Sequence, residues 1–130
     1  MPFYQFTVTK GSVSAQRKAE IARAITAAHC EVTGAPADYV SCSFAEVPAD
    51  NLYLAGEPIV GTRMVGLIRR RPEPLKRELL LKLADAWSSA TGEPITAVVM
   101  FLVDVPGYQA LEYGVLLPEA DQDALVSIRP

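Results

Sequence analysis

A chain of 130 residues that is 50% hydrophobic and 21% charged has the size and composition of one ordinary domain, able to bury a core without disulfides or metals. Its formal net charge is −3, with lysine and arginine spread along two candidate helices, which speaks against a nucleic-acid or membrane-surface partner. No charged-then-apolar leader opens the chain, and no apolar run approaches the roughly 20 residues of a bilayer span, so a cytoplasmic protein is expected. Cys30 and Cys42 lack CxxC spacing and the chain has a single His, so a Cys/His metal site within one subunit is not expected and both thiols read as ordinary buried groups.

The chain begins "MPFYQFTVTKG". Proline lacks the N–H a ladder needs and is tolerated mainly at strand starts and edges, so Pro2 can simply begin the first strand. It can also be more: removal of Met1 would leave a secondary amine able to take or give a proton. The alternation that follows places Phe3, Gln5 and Thr7 on one side and Tyr4, Phe6 and Val8 on the other, the pattern of a strand with a buried face. Ser14 offers a cap to a helix whose Ile21, Ile25, Ala28 and Val32 recur at helical spacing, and Gly34 and Pro36 end it. "YVSCSFAEV" is a second strand. "DNLYLAGEPIVG" reads as a turn or small hairpin. "TRMVGLIRR" is a third strand, and Pro74 opens a second helix with a stripe of Leu75, Leu79, Leu83 and Ala86, stopped by Gly92 and Pro94. "TAVVMFLVDV" is the last long strand.

These elements repeat. "VTGAPADYVSCSFAEVP" at 32–48 aligns without gaps on "ATGEPITAVVMFLVDVP" at 90–106, which implies two half-domains of one kind. The expected product is an α+β, two-layer domain over 1–130. It has two β-α-β halves, about 2–48 and 61–106, each with its strands parallel across a helical crossover. They form a four-stranded mixed sheet with two helices on one face, followed by a C-terminal tail. The other face carries "VVMFLV", too continuous an apolar strand to face water, which argues for an oligomer. The tail "ADQDALVSIRP" is expected to be ordered only against a neighbouring subunit.

Positions that break the repeat are candidates for function. His29 lies opposite Trp87, one residue beyond the core stripe near a helix C-terminus, where the dipole favours a charged imidazole; packing or capping would explain it equally. Arg69, Arg70 and Arg71 stand at a strand-to-helix junction where the first half carries "VTKGSVS". They are either a solvated turn or a planar, bidentate recognition element for a carboxylate. Glu112, in "LEYG", falls in a segment with no evident counterpart in the first half.

Together these residues resemble the tautomerase superfamily, and within it the cis-3-chloroacrylic acid dehalogenase group, whose members fuse two such half-domains. The resemblance runs from "MPFY" through "AITAAH", "GLIRR" and "LKRELLLKLA" to "VPGYQALEYGVLLPE". It implies that Pro2 is the acid/base amine and His29 a hydrogen-bond partner for substrate. It also implies that Arg69 and either Arg71 or Arg70 bind a substrate carboxylate, and that Glu112 orients water. It further implies a cofactor-free reaction on a small carboxylate and a homotrimer. One position departs: the family's tyrosine beside that glutamate falls at Phe101, which has no hydroxyl. Adding water to a double bond needs an activated nucleophile and a proton donor, and losing that hydroxyl weakens the water half, whereas enol–keto tautomerisation needs only an amine that moves a proton and cations that hold the carboxylate. Nearby arginines favour a neutral amine, so Pro2 is expected to be a base. The expected function is therefore tautomerisation of 2-oxo acids or their enols, with weak hydratase or dehalogenase activity. Hydrolytic dehalogenation or hydration of unsaturated three-carbon acids, and a non-catalytic oligomeric binding role, are the alternatives.

Overall fold

The computed structural model describes residues 1–121. Most of the tail, residues 122–130, lies outside the described residues. The expected α+β architecture is found. Strand β1 (Phe3–Thr9) leads to helix α1 (Ala15–Thr33), strand β2 (Ser41–Val47) and a short hairpin of β3 (Tyr53–Leu54) and β4 (Glu57–Pro58). Strand β5 (Thr62–Arg69), helix α2 (Glu73–Thr91), strand β6 (Val98–Val105) and a hairpin of β7 (Leu111–Glu112) and β8 (Val115–Leu116) follow in the same order. The sheet runs β2-β1-β5-β6, parallel within each half and antiparallel where β1 meets β5.

The helices begin and end as their sequences dictate. Ser14 accepts the N–H of Arg17 at 3.1 Å. Gly34 takes a left-handed φ of 74° and returns its N–H to Cys30, a conformation that suits glycine. Gly92 does the same at the end of α2. Tyr39, Thr96 and Ala97, which continue the strand patterns in the sequence, instead sit in single 3₁₀ turns before β2 and β6. The preceding prolines set these turns: the N–H of Tyr39 bonds to the carbonyl of Pro36 and that of Ala97 to Pro94.

One sheet face carries Tyr4, Phe6, Val8, Met64 and Ile68, and both helices lie against it through Ile21, Ile25, Ala28, Leu79, Leu83 and Trp87. Each fully buried aliphatic of that set contributes about 1.5–3 kcal/mol. His29 and Trp87 belong to this buried stripe and do not lie beyond it, at 2% and 3% exposure. Successive i, i+4 steps carry the apolar face on from Ile25 and Leu83 to these positions. On the opposite face Val65, Val99, Phe101 and Val103 stay exposed in the protomer.

The two halves match in detail. Lys18 on α1 pairs with Glu46 on β2 and Lys76 on α2 with Asp104 on β6. Thr33 caps the carbonyl of His29 at 2.8 Å and Thr91 that of Trp87 at 2.8 Å. The hairpins match as well, each turning on a positive-φ pair, Ala55–Gly56 and Tyr113–Gly114. Glu112 therefore does have a counterpart, Leu54, contrary to the expectation from sequence. Such short two-residue strands carry too little alternation to be seen in a sequence.

Candidate active site

The site is built at the end of the sheet where β1 starts and β5 finishes. Pro2 is fully buried, and its carbonyl accepts the N–H of Ser41 at 3.1 Å, which fixes the terminus to the edge of β2. The Met1 ammonium is ion-paired with a carboxylate oxygen of Glu112, 111 residues away in the chain. Glu112 is delivered by the β7–β8 hairpin, and its neighbour Tyr113 docks that hairpin. The Tyr113 hydroxyl donates to the carbonyl of Asp38 at 2.9 Å, and its ring meets that of Tyr39 edge-on at 5.7 Å.

His29 reaches the same end from the last turn of α1. Its Nδ1 lies 2.6 Å from the hydroxyl of Tyr4, and its Nε2 is buried with no hydrogen-bond partner among the described residues. The imidazole is not the cation that a helix C-terminus would favour. Burial, then the positive charges of Arg71 and of the chain terminus, push its pKa from 6.5 down to about 4. Desolvation and two nearby cations outweigh the helix dipole, which contributes at most about 2 kcal/mol.

The three arginines have different surroundings. Arg69 ends β5, is 6% exposed, and donates from Nη1 to the carbonyl of Pro118 at 3.1 Å. Arg71 is half-buried and close enough to act on both His29 and Tyr4. Arg70 is exposed, with its Nε 3.8 Å from Glu119. Of these two it is the charge of Arg71 that acts on His29, as that of the terminus does. Phe101 is not brought to this cluster within one protomer. Its strand partner Val65 is three residues from Ile68, the residue beside Pro2's end of the sheet, which sets it on the order of 14 Å away, and it is exposed on the other face.

Tyr4 belongs to the site as well as to the core, which alternation alone does not show. Its signal is nevertheless in the repeat. The burial patterns of β1 and β5 superpose with Phe3 on Arg63, the same match that the pairings Phe3 to Ser41 and Arg63 to Val99 give. Tyr4 then stands where the second half has Met64, Pro2 where it has Thr62, and Arg69 where the first half has Thr9.

The amine, carboxylate, imidazole and guanidinium so gathered can hold an anionic ligand and move a proton. Among the described residues there is no cluster of three or more metal-ligating side chains, and no helix is long and apolar enough to cross a membrane.

Residues 1–124 match the family model Tautomerase_3, described as "Putative oxalocrotonate tautomerase enzyme". No curated protein matches. Among solved structures, native Ps01740 is 32% identical with a TM-score of 0.79, the match covering 85% of this chain and 99% of that one. N1, a member of the cis-3-chloroacrylic acid dehalogenase family, is 26% identical with a TM-score of 0.90, covering 95% of this chain and 88% of that one. A fused 4-OT solved as a symmetric trimer shares the fold at 22% identity and a TM-score of 0.79, over 92% of this chain and 96% of that one. The chain belongs to the Tautomerase_3 family of the tautomerase superfamily, in its cis-3-chloroacrylic acid dehalogenase-like group.

Proposed function

We propose that the protein is a cofactor-independent tautomerase of 2-oxo acids and their enols, acting through the amine of Pro2 once Met1 is removed. The observation that carries this reading is the company of the chain terminus. Its ammonium sits on Glu112 and acts on His29 together with Arg71. A positively charged terminal ammonium is thus already accommodated among a carboxylate, a neutral imidazole and a guanidinium. Removing Met1 moves the terminal nitrogen back by one residue, about 3–4 Å, turns the Pro2 amide into a secondary amine and empties the space that Met1 fills.

In the reaction, Arg69 and Arg71 hold the substrate carboxylate with charge-assisted hydrogen bonds. The neutral Pro2 amine takes the enol hydroxyl proton; the oxygen electron pair forms the C=O bond as the C=C pair moves to carbon. The resulting ammonium returns the proton to that carbon. His29 and the arginines stabilise oxyanion charge while it exists. The carboxylate of Glu112 favours a protonated amine and the arginines a neutral one. The cycle needs both states and can start from either.

A second reading is hydration or hydrolytic dehalogenation of a 3-haloacrylate, favoured by the placement of Glu112, a carboxylate able to orient water beside the amine. Phe101 removes the hydroxyl that the family sets to that task. The non-catalytic alternative is disfavoured by this convergence of polar groups from four separate segments. For the exposed sheet face the reading supplies neighbouring subunits, in a homotrimer like that of the similar fused 4-OT.

The test combines three measurements. Intact mass is expected to lack Met1, kinetics to favour an enol 2-oxo acid, and halide release from 3-chloroacrylate to be slow. Retention of Met1 in an active enzyme would sink the amine mechanism, and faster dehalogenation than ketonisation would install the second reading. With position 101 supplied to the site by a neighbouring subunit of that trimer, Phe101→Tyr is expected to raise the halide rate relative to ketonisation. Sedimentation of a monomer at micromolar concentration would remove the trimer.

A further inference from the structure

We infer that Tyr4 is a positioning residue for His29: its hydroxyl donates to Nδ1 and fixes the imidazole as the Nε2–H tautomer, so that a neutral N–H meets the substrate's anionic oxygen. This rests on the tautomerase reading only for what the N–H meets; the tautomer itself follows from the geometry.

The two side chains are almost wholly buried, at 0% and 2% exposure. They lie 2.6 Å apart between Oη and Nδ1, with the rings edge-on at 70°. Two arrangements of the shared proton are open to a neutral pair. If Nδ1–H donated to the phenol oxygen, the hydroxyl proton would be buried without an acceptor and Nε2 would be a bare acceptor, also unpartnered. If the hydroxyl donates to Nδ1, the single orphan donor is Nε2–H. A buried donor left unmade is costly, so the second arrangement wins, and its remaining donor is the one a ligand oxygen completes.

Charge agrees with this choice. Protonating both ring nitrogens is opposed by burial, by Arg71 and by the chain terminus. The other titratable neighbours, Cys30 beside His29 and Cys42 opposite Tyr4 on β2, are held as neutral thiols by burial. Burial likewise raises the Tyr4 pKa, so its proton stays available to donate. The tautomer decides the sign of the contact: Nε2–H attracts a carboxylate or enolate oxygen, whereas a bare Nε2 repels it.

The surroundings are shaped for this tyrosine. Gly66 is its partner on β5, and a Cβ there would come within 2.6 Å of the Tyr4 ring. In the matching positions of the other half stand Met64 for Tyr4, Phe6 for Gly66 and Trp87 for His29, a set that makes only apolar core. The hydroxyl–imidazole pair is therefore specific to the end that carries Pro2 and is no requirement of the fold.

The experiment is nitrogen NMR of the ¹⁵N-histidine-labelled full chain, which has a single histidine. At neutral pH, a protonated, pyrrole-like Nε2 and a bare, pyridine-like Nδ1 are expected. The reverse assignment overturns the inference, and no turnover is needed to read it, so failure of the tautomerase reading is distinguishable. Tyr4→Phe keeps the ring and removes the donor. Averaged shifts from mixed tautomers are expected, with KM raised about tenfold, the worth of one hydrogen bond, and kcat less affected. Unchanged shifts in that variant overturn the inference, and if the variant does not fold the spectrum of the unmodified protein decides alone.

Discussion

The two ends of the sheet are related by the internal repeat and differ in chemistry. At one end Pro2, His29, Arg69 and Glu112 converge. Their counterparts are Thr62, Trp87, Thr9 and Leu54, which carry no amine, imidazole, guanidinium or carboxylate. The opposite end still has a cavity, about 260 Å³, bounded by Ser12, Arg17, Thr62, Trp87, Thr91 and Glu93. Both ends keep the same caps, hairpins and helix-to-strand ion pairs. What the fold requires is thus present twice, and what is present once is free to serve chemistry. A cavity is not the distinguishing mark, nor are charges at its rim, since Arg17 and Glu93 bound this one; the buried imidazole of His29, on which Arg71 and the chain terminus act, is.

The comparison breaks most sharply at the amine. Pro2→Ala, with Met1 removed, leaves a primary amine of altered geometry and basicity. It is expected to lower kcat/KM by at least about 100-fold, the scale of general acid–base catalysis, while circular dichroism and the melting temperature change little. Thr62→Ala at the matching position is expected to leave turnover within about twofold. Full activity in Pro2→Ala with loss in Glu112→Gln would make the proline a strand starter and the carboxylate the base.

The next contrast is Arg69 against Thr9, and Arg71, which stands where the first half has Gly11, against Lys10, the cation of that first-half turn. Arg71→Ala is expected to cost roughly 1.5–3 kcal/mol in kcat/KM, the worth of hydrogen bonds to a charged group. Arg69→Ala is expected to do the same and also to lower the melting temperature, because its guanidinium is buried and holds the carbonyl of Pro118. Lys10→Ala should do neither. Equal losses from Lys10 and Arg71 would mean that general surface charge, and not a placed clamp, draws the anion in.

Much of this was legible in the chain because it is local or periodic. Ser14, Gly34, Gly92 and the prolines at 36 and 94 mark their own helix ends, and the matched motifs at 32–48 and 90–106 give the repeat. Two things were not legible. The β3–β4 and β7–β8 hairpins are two residues per strand, so Glu112 looked unmatched. The protonation of His29 depends on burial and on Arg71 and the terminus, groups 42 positions later and 28 earlier in the chain; helix position alone points the other way. Tyr4 lies between these cases, since alternation shows its buried face but not the hydroxyl's partner.

His29 and Trp87 differ in how the two ends respond to acid. The folded imidazole has a pKa of about 4 against 6.5 when free, so between these values the unfolded chain binds a proton that the native chain does not. His29 therefore makes stability fall as pH drops from 6.5 to 4 and adds no further slope below that. The full change is on the order of 3 kcal/mol. Urea unfolding at a series of pH values should show this slope in the native sequence and lack it in His29→Asn. An equal slope in that variant would assign the acid sensitivity to carboxylates such as Glu46, whose pKa Lys18 lowers.

The smallest expected effect sharpens the comparison within the arginine run itself. Arg70 matches Lys10 in the other half, and both positions are exposed. Its ion pair with Glu119 is long, at 3.8 Å, between side chains that are 53% and 35% exposed, and such pairs are worth about 0–1 kcal/mol. Arg70→Ala is therefore expected to shift the melting temperature by no more than a degree or two, roughly what a few tenths of a kcal/mol give in a domain of this size, and to leave kcat/KM within about threefold. The residual rate effect should vanish in added salt, because an exposed cation acts on an incoming anion through a field screened within about 10 Å at 0.1 M. Arg71→Ala should keep its deficit in salt, since that side chain acts on His29 and Tyr4 at close range. A salt-insensitive loss in Arg70→Ala as large as that of Arg71→Ala would place Arg70 in the clamp and turn the loop's assignment around.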